Sequence, residues 1–230
     1  MNRTPTKADE LMRRAAEAFS KQKLQKACDL YGKAATEYRK EAPTPLDRVA
    51  LAHYTRALLI LHGDASGDIA EELDAGMAVA ADPQCPDAAR FSGLFAMLRA
   101  AWRRHHDEFE DCRGWLAEAE AKLRLAGRSQ DLYELFRERI RLEADVGDDA
   151  AAERFAREAL DRASGVRQIV LVKVQMADHF EARGKMAEAH SWLESAASRA
   201  FDSELKPEMT DLEIRVRRFR DRHPELGEGD

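Results

Sequence analysis

Apolar residues recur at helical spacing along the chain, and short polar stretches interrupt them at regular intervals. In "LAHYTRALLIL", for example, Leu51, Tyr54 and Leu58 fall on one stripe of a helix. No alternation with a period of two persists, so the pattern predicts an all-α protein of about eleven helices. Because the connections are short, neighbouring helices are expected to run antiparallel. The interruptions fall at residues 41–47, 62–68, 81–87, 126–131, 146–149, 164–167 and 183–185.

Several interruptions carry residues that begin a helix. Thr44 is predicted as an N-cap, with Pro45 in the first helical position after it. Pro86 and Pro207 are predicted to open helices in a similar way. Thr6, followed three residues later by Asp9, predicts a capping box at the first helix.

Small residues stand seven positions apart in the second helix of successive predicted hairpins. Two helix backbones approach to the roughly 8–10 Å of tight packing only where side chains are small. The second members of the pairs recur about every 40 residues, which is typical of an array of helical repeats. The pairs are Ala27 and Ala34, Glu71 and Ala78, Cys112 and Ala119, Ala152 and Ala159, and Ala189 and Ala196, with Glu71 the one member that is not small.

These residues resemble the tetratricopeptide repeat (TPR) family. "QKACDLYGKAATEY" is similar to the family's second helix and "AVAADP" to its repeat ending, whereas the family's signature first-helix tryptophan is absent. HEAT-like repeats have a compatible period and remain an alternative. The best match spans residues 170–203, where small and aromatic residues stand at the family's helix and turn positions: Ala177, Phe180, Gly184, Ala189 and Ala196.

The resemblance implies a right-handed solenoid of about five TPR-like antiparallel helix hairpins plus a C-terminal capping helix. It places a single repeat domain in residues 1–223 and an acidic tail, expected to be disordered, in residues 224–230. The capping helix is expected at residues 207–222, with an apolar side formed by Leu212, Ile214, Val216 and Phe219.

Composition, charge and cysteine count exclude several classes of protein. The 230 residues are 44% hydrophobic and 35% charged, with a formal net charge of −6, which argues against a sequence-independent coat on nucleic acid. The chain shows no apolar leader and no run of about 18 apolar residues, so neither a signal peptide nor a membrane interaction is expected. Three widely spaced cysteines favour reduced thiols and a cytoplasmic location. Cys112 is expected to be buried and Cys85 exposed.

Candidate chemistry is sparse. His105 and His106 are adjacent, and neighbouring side chains on a helix diverge by about 100°, so a solvated turn is favoured over a metal site. No motif of an enzyme active site or of a cofactor site occurs, and we expect neither catalysis nor a cofactor. The arginine-rich stretch "IRVRRFRDRH" favours helical ion pairs, with an acidic partner as the alternative.

The resemblance to TPR proteins implies a binding function. We expect a protein- or peptide-binding scaffold or adaptor whose first helices line a concave groove; a homo-oligomer is compatible with this prediction. The alternative is a peptide-sensing regulator whose ligand shifts the superhelix. Met12 and Ala16 stand where a carboxylate clamp would need Lys and Asn. An arginine-rich groove instead favours an acidic segment on the partner. The predicted groove residues are Arg13, His53, Arg56, Arg90, Arg137, Arg141, Gln175 and Asp178.

Overall fold

The computed structural model describes residues 4–203 and 206–224, and all regular secondary structure within these ranges is helical. The predicted all-α class is therefore confirmed. The acidic tail predicted for residues 224–230 lies, except for its first residue, outside the described residues. The helices are α1 (Lys7–Ser20), α2 (Leu24–Tyr38), α3 (Leu46–Leu61), α4 (Ile69–Ala80), α5 (Ala88–Arg104), α6 (Phe109–Ala126), α7 (Ser129–Val146), α8 (Asp149–Arg162), α9 (Val166–Ala182), α10 (Met186–Phe201) and α11 (Lys206–Arg222).

Local signals explain where α1 and α3 begin. Thr6 Oγ1 accepts a hydrogen bond from the Asp9 backbone at 3.3 Å, and Asp9 Oδ2 accepts one from the Thr6 backbone at 3.0 Å, which completes the predicted capping box. At α3 the prediction is wrong by one residue. Pro45 takes the N-cap position, while the Thr44 hydroxyl donates to the Glu41 carbonyl at 3.0 Å.

The small-residue pairs lie inside the protein. Ala27 and Ala34 of α2 have no exposed surface, and the pairs of α6, α8 and α10 are buried equally well. Their burial is as predicted from the sequence, and the role of letting neighbouring helices approach closely stays a prediction.

The second helix of the second hairpin, α4, follows a different register from the predicted one. Glu71 and Ala78 are exposed, and the buried residues two positions later are Leu73 and Ala80. Gly76 supplies the small residue of this helix, because a Cβ atom there would overlap the ring of Phe95 on α5. The contact that selects a small residue is thus set by the neighbouring hairpin.

The chain divides into two compact units, Met1–Gly127 and Arg128–Asp230. The boundary lies inside the single domain predicted from the sequence. In the first unit, α1 to α6 pack in chain order, and α3 also contacts α5. The rings of Tyr54 and Phe95 meet edge to face at that second contact, with 6.0 Å between their centroids.

The second unit contains α7 to α11, which also pack in chain order, with an additional contact between α7 and α9. Phe136 and Phe155 stack in its core, with 6.2 Å between ring centroids. Helix α11 packs on α10 and buries Leu212, Val216 and Phe219. Ile214 was predicted on the same side but is exposed.

None of the helices within the described ranges has the length and apolar character that crossing a lipid bilayer requires.

Candidate interaction surfaces

Two predicted groove residues of α3, His53 and Arg56, turn toward the second helices α2 and α4. His53 is 5% exposed, and its ring nitrogens lie 3.0 Å from Glu72 Oε2 and 3.0 Å from an Arg39 guanidinium nitrogen. A guanidinium only donates, so His53 Nε2 accepts from Arg39 and Nδ1–H donates to Glu72. Arg56 donates to the second oxygen of Glu72, and its guanidinium lies against Gly32.

This cluster corrects the predicted groove. The prediction treated polar side chains of α3 as outward facing, but here they satisfy one another around the buried carboxylate of Glu72. His53 is not accessible to a partner, and only about a third of the Arg56 side chain, 32%, is exposed.

Arg13 and Arg90 lie at the surface of α1 and α5. Arg13 donates to the two carboxylate oxygens of Glu10 at 2.9 Å and 2.6 Å, and this hydrogen bonding lowers the pKa of Glu10. The Arg90 guanidinium lies 5.8 Å from the centroid of the Phe91 ring. Both arginines are near the surface, and their assignment to a groove stays a prediction.

In the second unit, polar side chains link α7, α9 and α11 into a continuous series that we call the first-helix row. Gln175 Nε2 donates to the Arg137 carbonyl at 2.9 Å, and the Arg137 side chain donates back to Gln175 Oε1 at 3.3 Å. Arg137 and Gln175, two predicted groove residues, are therefore in contact, and a third, Asp178, pairs with Arg215 of α11. The row consists of four pairs: Gln130 with Gln168, Arg137 with Gln175, Asp178 with Arg215, and Glu181 with Arg222.

The predicted groove arginines of α7 are balanced by acids on their own helix. Arg137 lies 3.3 Å from Glu134, and Arg141 pairs with Glu138, just as Arg13 pairs with Glu10 on α1. These arginines do not form an uncompensated positive surface. Arg137 and Glu138 are mostly buried, at 17% and 16% exposed, whereas Arg13 and Glu10 are exposed, so that water and salt screen their pair.

An uncompensated positive surface lies elsewhere, at the turn between α1 and α2, and we call it the basic turn. One acid, Glu17, lies beside it and pairs with Lys21 at 2.6 Å. Among the described residues, no carboxylate lies within ion-pair distance of the other three cations. The cations of the basic turn are Arg14, Lys21, Lys23 and Lys26.

A small cavity of about 110 Å³ opens within the basic turn, with Ala18 and Leu30 as its apolar floor. Sequence reasoning missed this surface, although "SKQKLQK" is a visible signal. Residues 1–40 contain ten Lys or Arg and five Asp or Glu, which gives an excess of five positive charges in a chain of net charge −6.

A second depression of the first unit, about 580 Å³, is lined by α1, α2 and α3. Its cations are Lys7, Lys33 and Arg56, and its acids are Asp29 and Glu37. Lys7 lies 3.3 Å from Glu37, so the charges of this depression nearly cancel. It attracts an anion less strongly than the basic turn does.

Neither a family model nor a curated protein matches the chain. It is similar to the solved structure of a thermophilic TPR protein of Thermus thermophilus, with a TM-score of 0.57 and 16% identity over 92% of this chain and 98% of that chain. The chain has a TPR-like helical-repeat fold.

A second solved structure shares this TPR-like fold. Aspartyl phosphate phosphatase F from Bacillus subtilis matches with a TM-score of 0.61 and 12% identity over 96% of this chain. This chain covers 61% of the length of the phosphatase chain. The recognition of TPR-like repeats from the sequence is thus confirmed, whereas the right-handed sense and the number of repeats stay predictions.

The paired histidines lie in a turn between two helices of the TPR-like fold. His105 and His106 are exposed in the turn between α5 and α6, as predicted, and the His106 ring meets the Trp102 ring at 5.5 Å. Within residues 4–203 and 206–224, no three His, Cys, Asp or Glu side chains gather as they would around a metal ion.

The cysteines of this TPR-like chain are all free thiols. Cys112 is buried at a small-residue position of α6, as predicted. Cys85 was expected to be exposed, but it is buried, in a turn before α5 where the Cys85 backbone N–H donates to the Asp82 carbonyl at 2.9 Å. Burial raises the pKa of the Cys85 thiol, which makes it a poor nucleophile.

Proposed function

We propose that this TPR-like chain is a protein-interaction scaffold that holds a segment of a partner protein or peptide along its first-helix row. The observation that carries the proposal is the row itself. Arg137, Gln175 and Asp178 stand on adjacent helices and are already held by hydrogen bonds and ion pairs. A face whose side chains are ordered before binding loses less conformational entropy on association.

The partner segment is inferred to be acidic. Arg141 pairs with Glu138 one helical turn away, and 36% of its side chain is exposed. A carboxylate of the partner can bind the exposed part of Arg141 beside Glu138, because a guanidinium has five N–H donors and accommodates a carboxylate with two parallel hydrogen bonds. The alternative of a peptide-sensing regulator uses the same face and differs only in its output. A cytoplasmic location is inferred from the free cysteines.

Two arginine-to-alanine variants test whether the first helix α7, which carries Arg137 of the row, belongs to the binding face. Arg141→Ala removes an exposed arginine from the first helix α7, and Arg157→Ala removes an equally simple own-helix ion pair from the second helix α8. The immobilised protein captures partners from the native host, and the purified partner is then titrated into each variant by calorimetry. Arg141→Ala is expected to weaken binding about tenfold, the loss of one charge-assisted hydrogen bond, and Arg157→Ala to leave it unchanged.

Two results would contradict the proposal. One is that the immobilised wild-type chain captures no more protein from the native host than an unrelated helical protein does. The other is a partner whose affinity falls equally with Arg141→Ala and Arg157→Ala, which would show that the first helices are not the binding face.

A further inference from the structure

We propose that the basic turn between α1 and α2 is a second docking site, which takes a short acidic segment of a partner protein. This inference rests on the proposed interaction function but uses a surface separate from the first-helix row. Four cations face one acid there, and that acid is already paired with Lys21.

Three cations without an ion pair among the described residues lie together at this surface. Arg217 and Arg218 of α11 are also unpaired in the described part of the chain, but their helix carries the acids Glu213 and Asp221 as well. Arginines that point to solvent elsewhere, such as Arg13, Arg124 and Arg157, pair with an acid three or four residues away on their own helix. At the basic turn, Arg14, Lys23 and Lys26 lack such a partner among the described residues. Concentrated unpaired charge of one sign raises the local concentration of an oppositely charged ligand and speeds its association.

The shape of the site limits its ligand. A cavity of about 110 Å³ holds roughly three to four water molecules, at about 30 Å³ each, and is smaller than the 300–1,000 Å³ of a typical small-molecule pocket. It suits a single side chain rather than a metabolite. Ala18 and Leu30 give that side chain an apolar floor, while the cations surround its charged end.

An acidic peptide fits better than a nucleic acid. Stable binding to a duplex commonly involves about 6–10 phosphate contacts, more than four cations at one turn supply. The net charge of −6 also opposes the approach of a long polyanion to the protein as a whole. Two or three carboxylates on a short segment match both the number of cations and the small cavity.

The experiment compares two charge reversals in the full-length chain. Lys23→Glu with Lys26→Glu alters the basic turn, and the new acids suit the first turn of α2, so the fold is expected to persist. Arg217→Glu with Arg218→Glu is the matched control, because both arginines are exposed on α11 and have no ion pair among the described residues. Circular dichroism verifies that both variants are helical.

The probe is a fluorescein-labelled decapeptide of alternating Glu and Gly, with a Gln and Gly peptide as the uncharged comparison. Fluorescence anisotropy is expected to show that wild type and control variant bind the Glu peptide, that added salt weakens binding, and that the basic-turn variant binds at least tenfold more weakly. The Gln peptide is expected not to bind.

Three outcomes would overturn the inference. The first is that the basic-turn variant binds the Glu peptide as tightly as the control variant does. The second is that the Gln peptide binds as well as the Glu peptide. The third is that single-stranded DNA or phosphatidylserine vesicles bind the basic turn more tightly than the Glu peptide, which would assign the surface to another class of partner.

The same experiments separate this inference from the proposed function. If the basic-turn variant binds the Glu peptide normally while Arg141→Ala still weakens binding of the natural partner, the docking site fails and the proposed function stands. If the wild type captures no partner at all, the proposed function fails.

Discussion

Glu72 of α4 accepts a hydrogen bond from His53 of α3 at 3.0 Å, and both side chains are buried. The same carboxylate binds Arg56, so one acid fixes two polar groups between α2, α3 and α4. Removing it leaves donors without an acceptor inside the first unit. Glu72 is therefore a structural residue, and its contribution to stability can be tested directly.

We expect Glu72→Ala to lower the free energy of unfolding by about 1–3 kcal/mol, because His53 and Arg56 lose their shared acceptor. Glu71→Ala is the control. Glu71 is exposed in the same helical turn, so it has a similar effect on the helix dipole but is expected to change stability by about 0.5 kcal/mol or less. Urea unfolding of both variants measures the difference, and equal losses would show that the buried cluster contributes nothing specific.

Replacing the small residues of α10 with leucine tests their contacts with the neighbouring helices. Ala189 and Ala196 have no exposed surface, so Ala189→Leu or Ala196→Leu is expected to overpack a helix contact and to destabilise by about 1–3 kcal/mol. Ala187→Leu, on the exposed side of the same helix, is expected to have little effect. Thermal melts that do not separate the buried from the exposed substitution would refute this role.

Two glycines within helices are expected to respond in opposite directions. At Gly76 of α4 a methyl group would overlap the Phe95 ring, so Gly76→Ala is expected to destabilise by about 1–3 kcal/mol. At Gly114 of α6 a methyl group meets nothing within 4 Å, and Gly114→Ala is expected to stabilise by about 0.5–1 kcal/mol through helix propensity. Chemical denaturation of the two variants gives the sign of each change.

Asp149 makes the second unit sensitive to acid. A hydrogen bond from Lys185 at 2.5 Å, and then His179 at 2.8 Å, lower the pKa of this carboxyl. A pKa that is lower in the folded state gives stability that is complete above the ordinary Asp value of about 4 and is lost as pH falls through the folded value. Asp149→Asn is expected to unfold more easily than wild type near neutral pH.

The difference between wild type and Asp149→Asn should shrink as pH falls below about 4, because wild type then loses its own carboxylate. Urea unfolding across this range measures it. The exposed residue Asp161 supplies the control, since Asp161→Asn is expected to follow wild type at every pH. A constant gap between wild type and Asp149→Asn would mean that the carboxylate charge is not what stabilises this cluster.

The sequence predicted those features that depend on local pattern. Ala27, Ala152 and Ala189 were placed correctly because spacing along one helix determines which residues share a face. The capping box of Thr6 is local for the same reason. In α4, however, Phe95 of the next hairpin determines that Gly76 is the small residue, and no property of α4 alone reveals it.

The candidate site could be predicted only in part. Arg137 and Gln175 were assigned to the groove and are hydrogen-bonded to each other, and Asp178 pairs with Arg215; that they form a binding face stays a prediction. The predicted positions of His53 and Arg56 were wrong because a polar side chain can face inward where a buried partner binds it. Glu72 on α4 is that partner. The basic turn was missed, because its cations come from two helices and only the stretch "SKQKLQK" is continuous in the chain.

The two sides of the second unit differ in mechanical compliance. Its second helices are fixed through buried alanines, whereas α7, α9 and α11 are linked through polar groups of which some, such as Asp178 at 55%, are well exposed. Water can substitute for each exposed polar link at a net cost of about 0.5–1.5 kcal/mol, but nothing substitutes for a close-packed contact. When the unit deforms, the polar links between α7, α9 and α11 are therefore expected to open at a lower cost than the contacts of the buried alanines.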